Sequence, residues 1–378
     1  MRKLKKHINR KKSVVTGKQN LKLLHTFHNY PVYFGCINNP SSEDIFTDME
    51  WWIDKNSGVI QLNKLIPLDI LYQEQHVDGV GPSWENYYQD LASFVIKQNP
   101  KDILEIGGGS GRLANIILDK TPNLPYTMIE PNPKEKNSNI NIIVDFFDKD
   151  FILPKKADTI IFSQVLEHAY SPEGFIKGIS NNLNLGGKVI FGYPDLKYML
   201  KNKQTNAINF EHTMFLTDYF VDFLLKKHNL EIIKKKRQGK VNILYFCQKK
   251  RKVIQKPLKN KYSEYKKIFD NFIDHHKKIV LDLNKKIQQT SLPVYLFGAH
   301  IFSQHLIALG LKTDKIINIL DNGESKQNRR LYGTNLISKS PKILKGIGKG
   351  IVILKAGSYN DEIKQDILEN INSNIIFI

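Results

Sequence analysis

Cysteine is almost missing from this chain. Cys36 and Cys247 are the only two thiols in 378 residues, and they lie far apart. That excludes a disulfide framework and a thiolate metal cluster, so neither zinc nor another metal is expected. No apolar run approaches the ~20 residues that span a bilayer, so no membrane span is expected. The basic start, Met1 to Lys12, is not followed by an apolar segment and does not read as a secretory signal. These absences point to a cytoplasmic protein. Acidic residues are also short: 37 Asp and Glu against 56 Lys and Arg, a net charge of +19. Such a balance favours anionic partners. The lysines crowd into terminal and connecting stretches without interleaved aromatics, so nucleic acid is not the expected partner and most of this charge reads as solvated surface.

What is present is an ordinary globular composition, 41% hydrophobic and 25% charged, in a chain long enough for two or three domains. One stretch organises it. Asp102-Ile103-Leu104-Glu105-Ile106 reads as a buried parallel strand, and Gly107-Gly108-Gly109-Ser110-Gly111 follows at once. Glycines let the backbone turn sharply and come close to a ligand. Leu113, Ala114, Ile116, Ile117 and Leu118 then recur at helical spacing. Strand, glycine turn and helix form the nucleotide-binding start of a doubly wound α/β domain. No Lys-Ser/Thr follows the glycines, which excludes a phosphate-cradling P-loop. The pattern Glu105-x-Gly107-x-Gly109-x-Gly111 resembles motif I of class I S-adenosylmethionine-dependent methyltransferases, whose cationic, phosphate-free ligand gains from a carboxylate there.

Further strand ends agree. Tyr126 to Ile129 reads as a second strand, ending in Glu130 where such folds bind ribose hydroxyls. Ile140 to Val144 is the third, ending at Asp145-Phe146. Thr159 to Phe162 is the fourth, followed by Ser163-Gln164-Val165-Leu166-Glu167-His168. A helix from Phe175 to Leu183, closed by Gly186-Gly187, leads to Lys188–Gly192 as the fifth, with Tyr193-Pro194-Asp195 at its ligand-side end. The order of elements resembles the class I methyltransferase core throughout.

The remaining chain divides around that core. Residues 1–29 read as a basic tail and 30–83 as a small, loop-rich lobe. Within the lobe, Trp51-Trp52-Ile53 and Val59 to Leu62 fit a hairpin around Asp54 to Gly58. The methyltransferase domain takes 84–250 and ends in two strands turning at Gln238-Gly239. Residues 251–290 read as a linker helix. Residues 291–378 read as a second Rossmann-like α/β domain with its switch point at Gly298 and Asp321.

This organisation resembles the sugar C-methyltransferases, which methylate a nucleotide-activated keto-deoxysugar. The segment from Tyr72 to Trp84, the pair Glu211-His212 with Phe215, and the C-terminal Gly298-Ala299, Asp321 with Lys326-Gln327, Tyr332-Gly333-Thr334 and Tyr359 with Glu362-Ile363 carry the likeness. The lobe's four zinc cysteines are missing. Asp54 to Gly58 stands where two of them are expected, so the lobe is expected to hold by its own packing or to lose order.

The resemblance implies S-adenosyl-L-methionine as cofactor, held by Glu105, Gly107, Gly109, Gly111, Glu130, Asp145, Phe146 and Ser163. It implies His212 as the base that takes a proton beside a ketone, with Glu211 orienting it or taking the proton itself. Tyr72 or His76 donates to the developing oxyanion. His168 supports the loop over the cofactor. Tyr193, Gly298 and Lys326 are the candidate contacts to an anionic nucleotide-linked sugar. The alternative is O- or N-methylation of a polysaccharide sugar or another small molecule.

Overall fold

The computed structural model describes residues 2–4, 6–72 and 81–378. The candidate His76 lies outside these residues. The central sheet has seven strands, in the order Ile140–Ile143, Tyr126–Ile129, Ile103–Ile106, Ala157–Ser163, Leu183–Pro194, Asn242–Lys249 and Leu230–Gln238. The first five run parallel and Asn242–Lys249 is antiparallel to both of its neighbours. The parallel strands read as apolar runs because both faces are covered, and Ile103, Leu104, Ile106, Ile160, Ile161 and Phe162 are all buried. Strand order reverses between Ile103–Ile106 and Ala157–Ser163. Ligands of open α/β sheets bind at such a switch point. Gly186 and Gly187, expected to close a helix, lie inside the longer strand Leu183–Pro194.

The N-terminal lobe is a sheet in which Ile45–Asp54 pairs antiparallel with both Leu21–Pro31 and Ile60–Leu62. The expected hairpin is therefore present. The expected boundary at residue 30 is not: Leu21–Pro31 belongs to the lobe, and Arg10, Ser13 and Val15 are buried. The turn without zinc cysteines is closed by a carboxylate. Asp54 accepts from Asn56 N–H at 2.9 Å and from the hydroxyls of Ser57 at 2.7 Å and Thr16 at 2.9 Å. Gly58, at φ +86°, sits against the backbone of Lys261 and Tyr262, where a Cβ would come within 2.4 Å. The turn is thus closed by hydrogen bonds within the lobe, without thiolates. The lobe's last strand, Met214–Phe215, is lent by the methyltransferase domain and pairs with Ile60–Leu62.

The helix Tyr262–Gln289 does more than link. Its apolar stripe carries Tyr265, Phe269, Phe272 and Ile273 into the core shared by lobe and central sheet. Val280, Leu283 and Ile287 enter the core of the C-terminal unit. That unit is a five-stranded parallel sheet in the order Ser338–Lys339, Ile316–Leu320, Val294–Phe297, Gly350–Leu354 and Ile375–Phe377. It is also stitched to the lobe. Cys36–Ile37 pairs with Arg330–Leu331, and Arg330 makes a two-pronged ion pair with Asp44 at 2.6 and 2.8 Å. Among the described residues, no helix is long and apolar enough to cross a membrane.

Candidate functional site

The glycine turn leaves the first core strand at the switch point. Gly107, Gly109 and Gly111 all have left-handed φ, at +72°, +54° and +72°. A Cβ on Gly107 would meet Val165 at 2.8 Å, and one on Gly108 would meet Met128 at 2.6 Å. Gly107 is therefore needed both for its backbone and for the closeness of Val165, and Gly108 packs against the Met128 side chain of the neighbouring strand. Glu130, at the end of the second strand, accepts from Gly109 N–H and from Asn132 N–H, each at 3.0 Å. Its carboxylate closes the turn while standing at the ribose position of such folds.

Glu105 is buried beside the turn and accepts from the Tyr126 hydroxyl at 2.8 Å. Burial pushes its carboxyl up to about 7, with Glu130 and Glu135 adding repulsion and the Tyr126 bond working the other way. Such a group gains from a cationic ligand. Asp145 and Phe146 are exposed just past the edge strand Ile140–Ile143. Ser163 Oγ lies 2.8 Å from the Tyr87 hydroxyl. Gln164 then takes a left-handed φ of +54° as the chain turns out of the sheet. The turn, the strand-end carboxylates and the exposed aromatic suit a cationic nucleoside.

A second group of residues begins just after Val165, whose carbonyl accepts from His168 N–H at 3.0 Å. Glu167 is buried, its Oε1 4.0 Å from His168 Nε2, and burial pushes its carboxyl up to about 8. His168 Nδ1 stands 3.8 Å from Oε2 of Glu211, which is also buried. The rings of His168 and His212 meet edge-on with centroids 5.1 Å apart. Two loops hold the four groups. The Asn209 side-chain oxygen accepts from both Glu211 N–H and His212 N–H at 2.8 Å, which sets the turn that presents them. Thr213 N–H donates to the Glu167 carbonyl at 3.2 Å, joining one loop to the other. The strand Met214–Phe215 anchors the far end in the lobe.

Arg10 reaches the same place from the chain's start. It donates to the Thr213 carbonyl at 2.9 Å and the Tyr170 carbonyl at 2.7 Å. Burial lowers its guanidinium to about 10, so it stays charged at neutral pH. Tyr72 faces this cluster. Burial pushes its phenol well up, and Glu211, Tyr170, Glu167 and Glu130 all push the same way.

The structure thus brings together Tyr72, Glu211 and His212 and adds Glu167, Asn209 and Arg10, none of which was singled out from the sequence. Glu167 stood next to His168 in the run already marked. Arg10 had no local signal, because its partners lie some 160 and 203 residues away.

Three candidates for substrate contact fare differently. Tyr193 is fully buried, and its hydroxyl donates to the Leu216 carbonyl at 2.6 Å, so it is a core residue. Gly298 opens the helix Ile301–Ala308 in the C-terminal sheet. There Asp321 accepts from Ala299 N–H at 2.8 Å and pairs with Lys326 at 3.1 Å. The turn's donor and the Lys326 charge are engaged by the chain's own acid, which leaves them poorly suited to a substrate phosphate.

Residues 83–235 match the family described as "Methyltransferase domain". No curated protein matches the chain. Solved structures similar to it include an O-methyltransferase family protein from Burkholderia thailandensis, at 12% identity and a TM-score of 0.38, covering 44% of this chain and 56% of that one. Human N-acetylserotonin methyltransferase, solved in complex with SAM, is 17% identical with a TM-score of 0.39, over 44% and 52%. The N-methyltransferase NodS from Bradyrhizobium japonicum is 15% identical with a TM-score of 0.35, over 45% and 98%. The chain spans little more than half the length of the first two.

Proposed function

We propose that this chain, whose residues 83–235 are a class I S-adenosylmethionine-dependent methyltransferase domain, C-methylates a nucleotide-linked keto-deoxysugar. The observation that carries the reading is the gathering of Tyr72, Glu211 and His212 around Glu167 and His168, in the loop that follows Val165, whose side chain lies beside Gly107.

S-adenosylmethionine supplies, when bound, a methyl group already activated on a sulfonium. The chain's tasks are therefore to bind, to orient and to move a proton. The backbone of Gly107, Gly109 and Gly111 approaches the methionine part and Glu105 attracts the ammonium. Glu130 takes the ribose, Asp145 and Phe146 the adenine, and Ser163 borders the reacting end. Glu211 and His212 take the proton from the carbon beside the ketone. Tyr72, kept protonated by its buried and acidic surroundings, donates to the enolate oxygen that develops. Asn209 holds the pair and Arg10 holds the loop, both as positioning residues.

An O- or N-acceptor is the second reading, favoured by the additional pair Glu167 and His168 beside Glu211, which adds proton-transfer groups beyond those a single enolisation needs. A panel of nucleotide-linked keto-sugars incubated with the full chain in deuterated water separates the two. C-methylation requires deuterium to enter the carbon beside the ketone without cofactor turnover. A methylated product formed with no such exchange, its new methyl on oxygen or nitrogen by mass spectrometry, would replace the first reading with the second.

A further inference from the structure

We infer that Glu167, His168 and His212 form a binding site for one divalent transition-metal cation. No metal is expected from the sequence, because the chain lacks thiolate clusters. The fold assembles a different donor set. Glu167, His168 and His212 each present one ligand atom, and these atoms all lie within 4.8 Å of one another. Two imidazoles and a carboxylate suit zinc, manganese, iron or cobalt, whereas magnesium and calcium prefer oxygen alone.

A second observation points the same way. Oε2 of Glu167 is buried and has no hydrogen-bond partner among the described residues. An unsatisfied buried polar atom costs about 1–3 kcal/mol, so the carboxylate is poised for a partner that the described residues do not provide. The site is also built in advance. Thr213 N–H on the Glu167 carbonyl and Asn209 on the 211–212 turn hold the two contributing loops together. A cation bonded at about 2.0–2.2 Å draws its donors to within about 4 Å of one another, a side-chain adjustment of ~1 Å from the present positions. Glu211, 3.8 Å from His168 Nδ1, stands beside the site with its carboxylate directed at that ring.

The role of the cation rests on the methyl-transfer reading, but its binding does not. Next to Tyr72 it would hold the acceptor's oxygen and withdraw charge as the proton leaves, and with His212 engaged Glu211 takes that proton. No oxidation or reduction is involved.

The test uses the full chain, stripped with a chelator. Titration with cobalt(II), read by visible absorption, and with zinc(II), read by calorimetry, should each saturate at one equivalent. Glu167→Gln and His212→Asn should each weaken binding by more than about tenfold. Affinity for S-adenosylhomocysteine should stay within about twofold in both variants, which also shows that they are folded. No saturable binding of either metal, or equal affinity in wild type and both variants, would overturn the site. A chain that binds metal in this residue-dependent way yet does not bind S-adenosylhomocysteine would keep the site and remove the methyl-transfer reading.

Discussion

The guanidinium of Arg10 donates to the carbonyl of Thr213 at 2.9 Å, across 203 positions of sequence. It also holds the Tyr170 carbonyl, so one cation near the start of the chain ties the loop before the lobe's last strand to the loop after Ala157–Ser163. Arg10→Met keeps bulk but takes the donor from the Tyr170 carbonyl, while the Thr213 carbonyl keeps the Leu62 N–H at 2.9 Å, a loss of about 1–3 kcal/mol. Thermal unfolding should show a drop of several degrees. Turnover should fall further than S-adenosylhomocysteine affinity, because the glycine turn is not held by Arg10. An unchanged melting temperature would show that water replaces the guanidinium.

Asn209 offers a cleaner separation of position from chemistry. Its side-chain oxygen accepts from both backbone N–H groups of Glu211 and His212. Asn209→Ala should lower kcat on the order of a hundredfold through misplacement of the pair. Cofactor affinity should hold, and Asn209→Asp, which keeps the accepting oxygen, should restore most of the rate. Equal losses in both variants would assign Asn209 some role other than accepting these two hydrogen bonds.

Glu130 is expected to act in the cofactor site. Glu130→Ala removes the acceptor for Gly109 N–H along with the carboxylate proposed for the ribose. Calorimetry should show S-adenosylhomocysteine binding at least about tenfold weaker, matching the loss of one charge-assisted hydrogen bond. Unchanged affinity would take Glu130 out of the site.

Glu105 makes a prediction in pH. Its folded carboxyl sits near 7 against an ordinary 4.5, raised chiefly by burial. A raised acid favours the folded state while it is protonated. Stability should therefore fall as pH rises from about 4.5 to 7 and level off above, by roughly 3 kcal/mol in all. A cationic ligand at Glu105 reverses the preference, so S-adenosylhomocysteine should bind more tightly as pH rises through 7, with release of a proton. Glu105→Gln should flatten both curves. A wild-type affinity that does not vary between pH 6 and 8 would place the ligand's ammonium elsewhere.

The central sheet was legible because its information is local. The apolar run at Ile103 to Ile106, the glycine turn and the acids at successive strand ends each carry their signal within a few residues. The pair Glu211-His212 was legible through resemblance, and the structure sets it against His168 and the Asn209 turn. Arg10 was hidden because a buried arginine that bonds to carbonyls and a hydroxyl leaves no charge partner to find, and its basic neighbours read as solvent-facing. Tyr193 misled for the converse reason: a tyrosine at the ligand end of a strand reads as exposed, yet the segment around Leu216 folds over it. The Asp54 turn was marked by missing cysteines, but that a carboxylate replaces them depends on Thr16, which is distant in sequence.

The clasp between Asp44 and Arg330, together with the ladder from Cys36–Ile37 to Arg330–Leu331, has a topological result. The first and last units of the polypeptide grip each other directly, while the methyltransferase domain is strung between them like a stone in a closed band. A protease nick in the stretch 250–260, ahead of the long helix, would cut the band without opening it. The two fragments should travel as one particle on gel filtration until denaturant parts them.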